Sequence, residues 1–596
     1  MKNLAALKKY FIRYRWRLLL GMAFVAISNL FAVMAPNIVG QVIDEVANAI
    51  EDHKSGKLVV QGSMWSYIAS IVLWPSLAIL GLALLRGIFM FFMRQTIIVM
   101  SRHIEFDQKN DIYNHYQELS TGFFKKNFTG DLMNRLSEDV SRVRMYTGPA
   151  IMYSTNLIVL TLLAFAYMFS VNVMLTIYVI IPLPILALSI YLVNSVIYKK
   201  SEKIQAQLSS LTTTAQESYS GIRVIKSFVQ EKNMLSFFNN TSEEYKKSAI
   251  NLGMTEAVYF PAMNLFIGLS MLSTVAIGGY YAIKGEISTG NIAEFVIYIN
   301  LLMFPIMSIG WVASMVQRAS ASQARINEFL HTQPDIVSPP NAEDHKLKGK
   351  IELKDISFTY PHTGITALKN FSLHIQPGQK VAILGTTGSG KSTLIQLLLR
   401  MYDAQQGKVL IDDVPVQDYN IQSLRRQIAF APQESLLFSD TIYNNIRFGK
   451  SEATDEEVKK AARLADLDKD VATFGKGYET VIGERGVMLS GGQKQRMILA
   501  RALLKDSKVL ILDEVLSAVD TQTEKNILHN LQDYLIGKTT IVITHRIFTS
   551  WQFDQVIVMD KGVIVERGRH EELMDKNGRY AALYRHQTEM GTDDLA

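Results

Sequence analysis

The sequence predicts an all-α membrane domain of six helices with long cytoplasmic extensions, followed by an α/β domain. Three observations carry that prediction. Up to about residue 316 the chain runs in long apolar stretches separated by basic ones. From Ile351-Glu352-Leu353 onward the pattern becomes the alternation of a half-buried strand. Further on, the apolar run Val381-Ala382-Ile383-Leu384 leads through a glycine-rich loop into Leu394-Ile395-Gln396-Leu397-Leu398-Leu399, a strand–loop–helix unit. A chain of 596 residues is also too long for one core.

A bilayer core is spanned by about 20 apolar residues. Six segments qualify, near residues 16–39, 65–93, 149–169, 171–196, 257–283 and 292–316. Several contain proline (Pro36, Pro75, Pro182, Pro184, Pro261, Pro305), which spans tolerate where neighbours re-satisfy the freed backbone groups. The N-terminus is basic (Lys2, Lys8, Lys9, Arg13, Arg15, Arg17), and so are the two long segments after spans two and four. The other loops are short or lean acidic. Both termini and the long basic segments are therefore expected in the cytoplasm. The opening residues contain no Ser or Thr, unlike a transit peptide, and run straight into the first span, so they read as an interfacial amphipathic helix.

Helical patterning from Trp65 to about Tyr116 covers some 50 residues, roughly 75 Å at 1.5 Å per residue. The same holds from Val171 to about Lys203 and from Ala206 to Tyr280. These helices must project well beyond a hydrocarbon core of about 30 Å. Their tips, near Ser120-Thr121-Gly122 and Ser220-Gly221-Ile222, would press on whatever lies below. Within the spans, Asn29, Asn264 and Asn300 either line a substrate path or bridge helices. The span methionines either form an adaptable cavity or simply pack.

The net charge of +6 is modest, and its basic residues sit beside apolar spans, so membrane topology accounts for them better than nucleic acid does. No nucleic-acid partner is expected. Cysteine is absent, which excludes disulfides, thiolate metal sites and cysteine nucleophiles.

Residues 331–349, with Pro334, Pro339, Pro340, Asn341 and Gly349, read as a linker between a membrane domain at 1–330 and the α/β domain at 350–596. The glycine loop is Gly385-Thr386-Thr387-Gly388-Ser389-Gly390-Lys391-Ser392-Thr393. Its G-x-x-x-x-G-K-[ST] pattern, between strand and helix, is a phosphate-binding loop. Glycines let consecutive N–H groups converge on phosphate oxygens, and the following helix presents its positive end to the same anion. Lys391 would reach the β- and γ-phosphates and Ser392 would ligate Mg²⁺. Downstream, Lys508-Val509-Leu510-Ile511-Leu512-Asp513-Glu514 is an apolar strand ending in two carboxylates. Asp513 suits the Mg²⁺ shell, and Glu514 suits a base for the attacking water. These residues lead to the expectation of a nucleoside triphosphate and Mg²⁺.

The run Leu489-Ser490-Gly491-Gly492-Gln493, followed by Lys494-Gln495-Arg496, resembles the signature of ATP-binding cassette (ABC) exporters with an N-terminal six-span membrane domain. The resemblance covers essentially the whole chain. It implies that the α/β domain is an ABC nucleotide-binding domain whose Ser490, Gly491, Gly492 and Gln493 grip a γ-phosphate held by a second domain. It makes the expected cofactors ATP and Mg²⁺, and it implies adenine stacking for Tyr360 and Mg²⁺ and γ-phosphate sensing for Gln433. It also implies that Ser517-Ala518-Val519-Asp520 crosses the dimer interface, with Asp520 in the nucleotide site. His545 would contact the γ-phosphate, and Gly483-Glu484-Arg485-Gly486 would report to the coupling tips. The implied activity is ATP-driven export of a small hydrophobic or amphipathic substrate (drug, lipid or small peptide). The alternative is a nucleotide-gated channel or the regulatory half of a heterodimeric exporter. The sequence around Asp520 departs from the common Ala-Thr-Ser-Ala-Leu-Asp and resembles halves of heterodimers. Glu514 and the signature are intact, however, which favours a homodimer of half-transporters over a heterodimer with a homologous half. The chain is expected in a bacterial inner (plasma) membrane, in contact with lipid.

Overall fold

The computed structural model describes residues 2–55, 64–340, 342, 344–547 and 551–593. Asn341 of the expected linker lies outside the described residues, as does the side chain of Arg485. The chain divides into two compact units. One comprises Met1–Tyr116 and Gly130–Thr332, the other Gln117–Thr129 and Gln333–Ala596.

The first unit is helical. Five of its described helical stretches are long and apolar enough to cross a membrane: Arg15–Lys54, Ala69–Glu118, Thr129–Val171, Glu231–Ile283 and Thr289–Leu330. The expected fourth span falls on two helices, Val173–Ile180 and Pro182–Ser220. The break has a covalent cause. Pro182 has no N–H to continue the ladder, and its ring crowds the carbonyl four residues back. The long stretch before the third expected span contains two π-helical turns, Arg135–Asp139 and Tyr146–Ala150. Pro149 lies in the second, where a missing donor favours the wider turn.

Leu73, Trp74, Leu77, Leu80, Leu84 and Ile88 repeat at helical spacing along Met64–Glu118 and are exposed. An exposed apolar face of that length suits contact with lipid or with a partner chain. A buried cluster is built by other helices: Phe295, Tyr298, Ile299 and Leu302 pack with Val33, Leu160 and Met263. Met271, Met303 and Met307 pack against that cluster, which is the packing reading of the span methionines. Asn29 bridges helices, donating to Asn156 Oδ1 at 3.0 Å, and Asn300 donates to Val296 O of its own helix. The second helical tip is a short helix, Ile222–Ser227, whose neighbours Tyr219, Phe228 and Val229 are exposed.

The second unit is α/β. Its strands are β1 (Ile351–Thr359), β2 (Thr366–Ile375), β3 (Lys380–Gly385), β4 (Gln406–Ile411), β5 (Val414–Pro415), β6 (Ile428–Ala431), β7 (Val509–Asp513), β8 (Thr539–Ile543), β9 (Gln555–Asp560) and β10 (Val563–Gly568). They form an antiparallel sheet in the order β2-β1-β4-β5 and a second sheet in the order β10-β9-β3-β8-β7-β6. In the second sheet β9, β3, β8, β7 and β6 run parallel. β7 and β8 are buried along their whole length, as strands covered on both faces must be. The tip segment Gln117–Thr129 belongs to this unit, where Ser120 Oγ lies 3.4 Å from Asp335 Oδ2 and a Cβ added at Gly122 would lie 3.5 Å from the Tyr402 ring.

Candidate functional site

The parallel sheet delivers its chemistry at one edge. Ligands of open α/β sheets sit beyond the carboxyl ends of the strands. β3 ends at Gly385 and opens the glycine loop; Gln433 follows β6, Glu514 follows β7, and His545 follows β8. Because β3, β8, β7 and β6 are successive neighbours, residues far apart in sequence reach the same edge.

The loop is shaped by backbone that only glycine accepts. Gly390 has φ +100°, and a Cβ there would lie 2.5 Å from Ala367 O. The helix Lys391–Leu398 starts directly after it. Lys391 is buried, and its Nζ donates to Gly385 O at 2.8 Å and Thr386 O at 3.0 Å. Burial pulls its ammonium below the usual lysine range, against the pull of Glu514 and Asp513. Ser389 Oγ is buried with no hydrogen-bond partner among the described residues. Thr393 is buried, and its hydroxyl lies 2.9 Å from the Tyr360 hydroxyl, which also donates to Gln396 Oε1 at 3.1 Å. Phe358 and Tyr402 flank the Tyr360 ring edge-on.

Asp513 is 5% exposed, and its Oδ1 has no hydrogen-bond partner among the described residues. Burial, reinforced by the Glu514 charge, pushes its carboxyl up to about 6, against the hydrogen bond from Ser392. Glu514 stands next to it in the left-handed region, φ +52°, held by its N–H to Ile543 O at 2.9 Å. A non-glycine residue pays of order 1–3 kcal/mol for such a conformation and keeps it only where its surroundings insist. Here both carboxylate oxygens are taken: Gln433 Nε2 donates to Oε2 at 2.6 Å, and His545 Nε2 lies 2.6 Å from Oε1.

The signature residues lie on another element. Ser490 caps the helix Gly491–Leu504 in a capping box: Ser490 Oγ accepts from Gln493 N, and Gln493 Oε1 accepts from Ser490 N. Gly492 has no room for a side chain, since a Cβ would lie 2.9 Å from Ala518 O. Asp520 caps the helix Thr521–Tyr534, accepting from Thr523 N at 2.9 Å. This helix and the signature helix belong to one hydrophobic core, whereas the glycine-loop helix belongs to another. Glu484 and Gly486 form a short 3₁₀ turn before the signature.

Two residues without a sequence-assigned role prove structural here. Gln495 donates to Ser517 Oγ at 2.9 Å and accepts from Ala518 N at 2.9 Å, fastening the signature helix to the 517–520 loop. Asp470 takes Gln493 Nε2 at 2.9 Å and Arg496 at 2.7 Å. No spacing rule marks either residue, because each partner lies in a different element.

The comparisons with known proteins agree with this architecture. Residues 18–306 match the family of the ABC transporter transmembrane region, and residues 368–517 match the ABC transporter family. The chain is 35% identical over 581 residues to the "Probable multidrug resistance ABC transporter ATP-binding/permease protein YheI" of Bacillus subtilis, covering 97% of this chain and 96% of that one. It is 34% identical over 576 residues to an ATP-dependent lipid A-core flippase of Hahella chejuensis, covering 94% and 95%. Its fold is similar to that in the "Structure of a bacterial Atm1-family ABC exporter with ATP bound", with a TM-score of 0.75, 24% identity, and coverage of 98% and 99%. The chain belongs to the ABC transporters: it is an exporter half, a helical transmembrane domain fused to an ABC nucleotide-binding domain. It is an integral membrane protein that binds ATP, couples its hydrolysis to export, and works with a partner half.

Proposed function

We propose that two copies of this chain pair to export a hydrophobic or amphipathic molecule, a drug or a lipid, from a bacterial inner membrane, with both termini cytoplasmic. The relatives named for multidrug resistance and for lipid A-core flipping support that substrate class. The placement of the phosphate loop and the signature in different cores of one domain supports a composite site. In that reading each ATP lies between the Gly385–Thr393 loop of one copy and the Ser490–Gln493 cap of the other. The exposed Tyr219, Phe228 and Val229 give the second helical tip an apolar surface for the partner half.

The residues at the sheet edge suit Mg²⁺. A divalent cation beside the unpartnered, buried Asp513 Oδ1 would offset its desolvation, and hard oxygen ligands are what Mg²⁺ takes. Ser392, Asp513 and Gln433 would hold it, and the bound ion would neutralise charge developing on the phosphates. In our assignment Lys391 anchors the phosphates and Tyr360 offers a ring to the adenine. Glu514 accepts a proton from the attacking water, and His545 and Gln433 fix the direction of its carboxylate.

One observation carries this reading: a single carboxylate in a strained backbone, gripped through both oxygens from the two neighbouring strand ends. Glu514→Gln tests it. ATP should still bind, and phosphate release should fall by about 10²–10⁴-fold, the range for a lost general base. Hydrolysis at the wild-type rate would remove Glu514 from the role.

A further inference from the structure

The N-terminal helix Lys8–Arg13, with its lead-in turn Lys2–Leu7, divides its charges between two faces. On one face Lys9 Nζ lies 2.6 Å from Asp111 Oδ2, and the Tyr10 hydroxyl donates to the same oxygen at 2.7 Å. One turn on, Arg13 and the Tyr14 hydroxyl donate to Asp107 Oδ2 at 2.7 and 3.1 Å. Asp107 and Asp111 are four residues apart on the helix Met64–Glu118, so they stack on one side of it. These pairs latch the N-terminal helix to the bundle.

Two further cations are of a different kind: Lys8, which opens this helix, and Arg15, which opens the helix Arg15–Lys54. Lys8 and Arg15 are exposed and have no carboxylate partner among the described residues. With Leu4, Phe11, Ile12 and Tyr146 they line a cavity of about 470 Å³. Its lining combines apolar side chains with the two cations. Beside it the first span begins, with Trp16, Leu19 and Leu20 all exposed along the helix that follows. The Arg15 guanidinium rests over the Trp16 ring at 5.7 Å, which limits its freedom.

We propose that this cavity is a site for an anionic phospholipid of the inner leaflet. The phosphate would sit between Lys8 and Arg15, and the top of an acyl chain would lie over Phe11 and Ile12. Unpaired cations beside apolar side chains at the edge of a span match a negative headgroup on a hydrocarbon tail: a neutral lipid offers them no net charge, and a soluble anion leaves the apolar side chains unused. A guanidinium forks onto phosphate oxygens, and the neighbouring ammonium adds a point charge. The choice of leaflet rests on the proposed cytoplasmic placement of the N-terminus; the chemistry of the site does not.

The test is native mass spectrometry of the full-length protein in detergent with equimolar phosphatidylglycerol and phosphatidylcholine, which is blind to membrane orientation. The wild type should retain phosphatidylglycerol preferentially. Each charge near such a headgroup is worth a factor of about five in binding. K8Q and R15Q should therefore each cut the preference about fivefold, and K8Q/R15Q should abolish it. K8R/R15K, which keeps both charges, should preserve it. Lys2 and Arg17 do not line the cavity, so K2Q/R17Q should leave the preference intact. Equal retention of the two lipids by the wild type would overturn the proposal. So would an equal loss in K2Q/R17Q, which would mean diffuse surface attraction, or an undiminished preference in a monodisperse K8Q/R15Q protein.

Discussion

His545 Nε2 lies 2.6 Å from Glu514 Oε1, and Gln433 Nε2 donates to the other oxygen of that carboxylate at the same distance. The three residues come from the ends of β8, β7 and β6, adjacent in the sheet and separated by up to 112 positions in the chain. A carboxylate held at both oxygens has one orientation. Its value as a base therefore depends on two neighbours as well as on itself.

This dependence makes a non-additivity prediction. Gln433→Ala and His545→Ala should each lower the rate of ATP hydrolysis, by about 10–100-fold. The double variant should lose less than the product of the two, because both act through one carboxylate. Steady-state hydrolysis of the four proteins of the cycle measures it, and strict multiplicativity would mean that the two contacts work independently.

Gly390→Ala addresses the loop itself. At φ +100°, with Ala367 O 2.5 Å from the added carbon, the loop must shift or strain. The strain is of order 1–3 kcal/mol, so ATP affinity should fall by roughly 5–150-fold while the remainder of the domain keeps its fold. Nucleotide titration and a thermal melt, read together, separate the two effects.

Much of this site was legible in the chain, and the reason is local. The glycine loop, the carboxylate pair and the signature are contiguous motifs whose chemistry is fixed by neighbouring residues. The grip on Glu514 was not legible as geometry, because Gln433 and His545 reach it only through the strand order. Nor was the left-handed backbone at Glu514, which no local preference favours. In the helical unit, length and apolarity marked the spans. The division of the fourth expected span before Pro182 and the π-helical turns at Arg135 and Tyr146 arise from backbone hydrogen bonding that hydropathy does not register.

Arg501 offers a stability test in the nucleotide-binding unit. Its guanidinium donates to Asn445 O at 2.8 Å, Asn445 Oδ1 at 3.0 Å and Leu436 O at 3.0 Å. It also packs over Phe438 and Phe448 at 5.6 and 5.2 Å. Burial pushes it down to about 10, which leaves it charged at neutral pH. Lysine keeps the charge and loses the fork, so Arg501→Lys should destabilise the unit by about 2 kcal/mol. A thermal melt of the full-length protein should show a lowered transition, and an unchanged one would assign the stability to the charge alone.

Asp139 supplies the corresponding test in the helical unit. It is 1% exposed, accepts from Ser322 Oγ at 2.7 Å, and has Arg325 Nε at 3.4 Å from its other oxygen. Arg325 also pairs with Asp131. Removing the carboxylate leaves the Ser322 hydroxyl buried without its acceptor and removes one of the two partners of Arg325. Asp139→Ala should therefore cost about 2–4 kcal/mol, at the lower side of a broken buried pair because Arg325 is partly solvated and keeps Asp131. Asp139→Asn retains an oxygen for Ser322 and should cost about half as much. Differential scanning of both variants in lipid nanodiscs measures the order. If the two fell equally, the charge on Asp139 rather than its hydrogen bond would hold these helices together.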